Sequence, residues 1–102
     1  MVTYLIYSQW TEQGIRNIKE SSKRLDVGRK MLKELGGEMK AFYMTQGKYD
    51  MVAIVEVPDD EVLATYVLAV ASQGNFRTPT VRAYTEDEYR RILGGLLTSP
   101  QM

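Results

Sequence analysis

The sequence predicts an α+β fold: one antiparallel sheet of four strands with helices packed on a single face. Three observations carry that reading. Residues 39–46 and 51–57, rich in aromatic and β-branched side chains, flank the short turn Gly47-Lys48-Tyr49-Asp50 and read as a β-hairpin. Stretches of helical periodicity precede and follow the hairpin. Strand-like runs open the chain at residues 2–9 and return at 76–84, giving the order β-α-β-β-α-β.

Val2 to Gln9 is β-branched and aromatic with both alternate sets largely apolar, as in a central strand covered on both faces. Trp10 to Ser22 is a connection in which Thr11 can cap a short turn and Ile15 and Ile18 can tuck inward. From Lys23 to Leu35 the spacing predicts an amphipathic helix, with Leu25, Gly28, Leu32 and Leu35 on one stripe and Lys23, Arg29, Lys30, Lys33 and Glu34 on the wet side. Ser21 or Ser22 can cap its start, Gly36-Gly37 stops it, and Gly28 implies close approach to a strand. Pro58 ends the hairpin, and Asp59 and Asp60 open a helix over about residues 61–73, closed by Gly74. That helix is apolar on nearly all sides, which points to cover beyond its own sheet, as in a subunit contact. Phe76 to Tyr84 is the fourth strand, and Pro79, lacking an N–H, makes it an edge strand or a bulged one. Thr85-Glu86-Asp87-Glu88 is a capping box that opens a last helix through about Leu93, ended by Gly94-Gly95. Residues 1–97 read as one domain and 98–102 as a frayed tail.

This is the split βαβ, ferredoxin-like plan with strand order 4-1-3-2, both internal helices on one face and a further helix at the C-terminus. The other face is bare. Pairing Gly47 with Asp50 places Tyr43 opposite Ile54 and Ala41 opposite Glu56, with Phe42 and Met44 under the helices. On the fourth strand Val81 and Ala83 suit the helix side, which sends Thr78, Thr80, Arg82 and Tyr84 to the bare one. The bare face would then gather Glu56, Arg82, Tyr43 and Tyr84 around Val52 and Ile54. The first strand adds either Tyr4 and Ile6 or Leu5 and Tyr7; its periodicity does not decide. Such a face is a dimer interface, a pocket wall, or both.

Composition narrows the chemistry. With 13 basic and 13 acidic residues the formal charge is zero, and no basic stripe favours nucleic acid. The absence of cysteine and histidine removes disulfides, thiolate nucleophiles and the commonest metal and haem ligands. No cofactor or metal is therefore expected, and proton chemistry would fall to carboxylates, tyrosines or lysines. Neither a signal peptide nor a membrane-spanning run is evident, so the expected location is cytoplasmic.

Several residues admit both a structural and a functional role. Tyr49 and Asp50 fit turn chemistry, or a pocket rim with Tyr49 as a phenol donor and Asp50 as acid or base. Glu56 and Arg82 fit an ion pair within or across the sheet or crossing a dimer, or a general base and a guanidinium clamp on a polar ligand. Arg24, in a first turn that the helix dipole disfavours for cations, and Arg77, after Asn75-Phe76, fit surface salt bridges or anion sites. Trp10 fits a lid over the core edge or a ligand contact, and Tyr43 and Tyr84 fit packing or an aromatic ligand.

The segments Val2-Thr3-Tyr4-Leu5-Ile6, Trp10-Thr11-Glu12-Gln13-Gly14-Ile15, Leu35-Gly36-Gly37, Gly47-Lys48-Tyr49-Asp50, Pro58-Asp59-Asp60 and Gly74-Asn75-Phe76-Arg77-Thr78, in that order, resemble the GYD-domain family of small bacterial and archaeal proteins. The resemblance spans roughly residues 2–93. It implies a dimeric α+β barrel, two subunits packed sheet to sheet, alone or within a higher oligomer. It supplies no catalytic set. Three functions follow as expectations: a homodimer binding a small aromatic or carboxylated molecule between sheet and partner, a cofactor-independent monooxygenase or isomerase using Glu56 or Asp50, and an interaction domain whose bare face is filled by its partner.

Overall fold

The computed structural model describes residues 1–96. The expected boundary at 97 and the tail 98–102 lie outside them. Strand β1 (Val2–Trp10) leads through helix α1 (Glu12–Arg16) and a 3-10 turn (Ile18–Glu20) into α2 (Ser21–Glu34). The hairpin β2 (Glu38–Met44) and β3 (Met51–Val57) follows, then α3 (Asp60–Ala71), β4 (Phe76–Arg77), β5 (Thr80–Ala83) and α4 (Glu86–Gly94). The sheet is antiparallel throughout, with order β2-β3-β1 and both β4 and β5 on the far side of β1. It has five strands where four were expected. Pro79 accounts for the difference: it cannot donate to the ladder, and the expected fourth strand divides at Thr78-Pro79. The ladder keeps step across the break, since Gln9 faces Arg77 and Ile6 faces Thr80 in one register, and the Tyr7 N–H donates to the Pro79 carbonyl.

Alternation on β3 sets the two faces. Met51, Ala53, Val55 and Val57 are buried under α2 and α3, with Ile6, Leu32, Leu63 and Tyr66 in the same core. Val52, Ile54 and Glu56 point the other way, and their partners Tyr7, Leu5 and Thr3 assign the odd residues of β1 to the open face. β1 is central, but among the described residues helices cover only one of its faces.

Capping chemistry explains most helix ends. Thr11 accepts from the Gly14 amide, Asp59 from Val62, and Thr85 with Glu88 completes a reciprocal capping box. α2 differs from expectation: Ser21 and Ser22 lie inside it, and its N-cap Glu20 makes no side-chain cap bond because the 3-10 turn feeds straight into the helix. Gly28 approaches the Tyr66 hydroxyl of α3, not a strand. Gly14 is where a side chain is least possible, since a Cβ there would overlap the carbonyl oxygen of Asn75.

Candidate functional site

The hairpin turn is tied to the end of β1. Thr45 and Asp50 close the ladder, so Tyr43 faces Val52 and Ala41 faces Ile54, two residues displaced from the expected register. A slip of two keeps Ala41, Phe42 and Tyr43 on their expected faces, while Met44, expected under the helices, is exposed. The Asp50 N–H donates to the Ser8 carbonyl, and the Asp50 carboxylate accepts from the Trp10 N–H at 2.9 Å. Gln9 Nε2 donates to the Lys48 carbonyl, and Tyr49 packs on Tyr7 with ring centroids 4.7 Å apart. Asp50 is thus engaged in holding the turn, and Tyr49 sits at the end of the open face. Trp10 is half-buried, with its indole nitrogen enclosed and unpartnered among the described residues.

Along the open face run Leu5, Tyr7, Val52, Ile54 and the exposed Tyr43 and Val81. Glu56 stands at one end, 3.4 Å from Lys40 Nζ, which also lies 3.6 Å from Glu38. Lys40 reaches both because a bulge between Met39 and Ala41 swings it across. The two carboxylates hold the Lys40 ammonium above its ordinary pKa, Glu38 through its charge and Glu56 chiefly through its hydrogen bond.

Arg82 is not on this face. It pairs with Tyr4 across β1, and Tyr4 points to the helices, so Arg82 and Tyr84 lie on the opposite side from Glu56 while Val81 and Ala83 join the open face. Hydrophobicity misassigns this strand because the guanidinium is sheltered by aromatic rings, not by water. It lies 4.3 Å from the Tyr84 centroid and 5.8 Å from that of Tyr4. It also donates to the carbonyls of Thr3 and Ala83 and stands 3.7 Å from Glu88. Beside it the Tyr4 hydroxyl donates to Asp60 at 2.6 Å, and this bond, with burial, raises its pKa. Within the chain the expected Glu56–Arg82 pair therefore does not form. Arg77 is exposed opposite Gln9. Arg24 stands apart from all of these, lining a cavity between the helices and the sheet. Packing between helix and sheet leaves no periodic signature, so no sequence pattern marks this cavity.

Beyond the sheet, α4 exposes Tyr89, Ile92 and Leu93, followed by Leu96. The radius of gyration is 16.5 Å, against about 13 Å for a compact chain of this length. Among the described residues no helix is long and apolar enough to cross a membrane.

The GYD domain model matches residues 4–93. The chain is 30% identical over 84 residues to the glutamine synthetase and cystathionine beta-lyase binding protein of Thermus thermophilus, covering 81% of this chain and 88% of that protein. Among solved structures it resembles FFRP-DM1 (TM-score 0.55, 22% identity, 82% of this chain and 100% of the other). It also resembles TTHA0845 from Thermus thermophilus (TM-score 0.54, 24% identity, 83% of this chain and 95% of the other). Both likenesses concern the fold.

Proposed function

The chain belongs to the GYD domain family, and from that premise we propose that it is an interaction module, a homodimer that docks on metabolic enzymes of the cytoplasm. The observation that carries this is the Thermus relative, named for binding two such enzymes and matched over most of its length. The surface is consistent with it. Among the described residues a half-apolar sheet face and the stripe of α4 are both uncovered, and neither contributes to the core. Closing the sheet face against a second copy completes a ferredoxin-like dimeric α+β barrel, in which β4 and β5 act as one fourth strand in a continuous register.

The geometry supports the catalytic alternative less well. Glu56 is paired with Lys40, Asp50 holds the Trp10 amide, and Arg82 is on the far side of the sheet from Tyr43. A ligand chamber between sheet and partner keeps Tyr43 and Glu56 but loses the guanidinium clamp.

Light scattering on the purified chain, and calorimetric titration into purified glutamine synthetase and cystathionine beta-lyase from the same organism, test the proposal. A dimer that binds at least one enzyme, weakened by Ile54→Glu, is the expected result. A chain that stays monomeric at micromolar concentration and binds neither enzyme overturns it.

A further inference from the structure

A cavity of about 300 Å³ lies within the single chain, between the helix-covered face of the sheet and helices α2 and α3. That is the lower end of the range for small-molecule sites. Its wall is mostly apolar: Phe42 and Ala53 rise from the sheet, Leu25 from α2, Val67 and Val70 from α3. The serines at 21 and 22 line it, and so does Arg24. Arg24 Nη1 is buried and meets no hydrogen-bond acceptor among the described residues. A guanidinium donor withdrawn from water without an acceptor is costly, and the first turn of a helix is no favourable place for a cation. A second hollow, of about 360 Å³, shares Arg24, Gly28, Val70 and Phe76 with the first. Glu20 lines that second hollow, but its carboxylate stands 3.5 Å from Lys23 Nζ.

The geometry points to a binding site here for an amphipathic monocarboxylate, an aliphatic or aryl acid of small size. Its carboxylate takes the fork of Arg24, since guanidinium and carboxylate match in plane and charge. Its apolar body fills the space between α2, α3 and the sheet. A neutral apolar ligand would leave the buried Nη1 donor unanswered, and a polyol or dianion would strand polar groups against the apolar wall. Gly28 helps to hold the space open, because a Cβ there would come within 3.1 Å of the Tyr66 hydroxyl. The site lies inside one chain and does not depend on dimerisation or on enzyme docking.

Octanoate, octanol and acetate, each titrated into the full chain and followed by amide shifts and thermal melting, test the site. Octanoate is expected to bind saturably, to move the amides of Gly28 and Val70 and to raise the melting temperature. Octanol should bind about tenfold or more weakly, the usual worth of a charge-assisted bond. Acetate, with the charge but no apolar body, should bind more weakly than octanoate. Arg24→Gln should abolish the difference between octanoate and octanol. Arg24→Met should do the same while raising the melting temperature of the free protein, because it removes an unanswered buried donor. Three results overturn the proposal: octanoate binding no tighter than octanol in the unaltered chain, octanoate binding at undiminished strength in Arg24→Met, or a less stable Arg24→Met variant that Glu20→Gln restores, which would reveal an internal ion pair.

Discussion

The two faces of β3 carry the same kinds of side chain and meet opposite fates. Val55 and Val57 are fully buried beneath the helices, while Val52 and Ile54, one residue away, stay partly open to water. Hydrophobicity is not what separates them. The helices land on one side only, so the apolar residues on the other side do little for the folding of the lone chain and remain available for association.

A charge separates the faces most sharply. Val55→Asp buries an unpaired carboxylate in the core, a cost of several kcal/mol that consumes much of an ordinary domain's stability. It should unfold the chain by circular dichroism. Ile54→Asp should leave the monomer folded and act only on association; if it also unfolds the chain, the open face belongs to the core. Gly14→Ala sharpens the covered side. Its Cβ would strike the Asn75 carbonyl, which already accepts from the Thr11 N–H, so the chain must shift at the join of α1 and β4. A loss of about 1–3 kcal/mol in urea unfolding is expected. The third test concerns α4, whose Glu88 reaches Arg82 of the sheet. Thr85→Ala should cost about 1 kcal/mol, confined to that helix, and hydrogen exchange should rise there and nowhere else.

Acid should mimic that last change. The Thr85 N–H, above all, holds the Glu88 carboxyl below its ordinary pKa, with Arg82 and Arg91 adding to the effect. Such a group stabilises the fold above the ordinary carboxylate range and loses that contribution as pH falls through its lowered value. Amide signals of α4 should therefore change at lower pH than an unperturbed glutamate would dictate. The opposite sign holds for Tyr66, raised by burial, and for Tyr4, raised first by its bond to Asp60. Their contribution is present below the ordinary tyrosine pKa and is lost as pH climbs past it.

Much of the fold was legible because its signals are local. The caps at Thr11, Asp59 and Thr85, and the hairpin faces, follow from neighbouring residues. The hairpin register was misjudged by two residues, yet a strand's period of two returned Tyr43 and Glu56 to their expected face. The β5 assignment failed for the complementary reason. An arginine reads as wet and a valine as dry, but Arg82 has Tyr4, Tyr84 and Glu88 around it and Val81 is exposed. Neither circumstance is written within a few residues of the strand. The Arg24 cavity is less legible still, because it exists only where two helices and a sheet fail to meet.

Both borders of the sheet carry an obstacle. On β2 the Lys40 bulge interrupts the ladder, and on the far side the rim is divided at Thr78-Pro79 into two short strands. Neither rim offers a clean row of donors and acceptors to an incoming strand, so lateral growth into a fibre is discouraged at both ends. Contact through the flat of the sheet, by contrast, uses up its surface in a single event. A chain built this way is biased toward assemblies that stop.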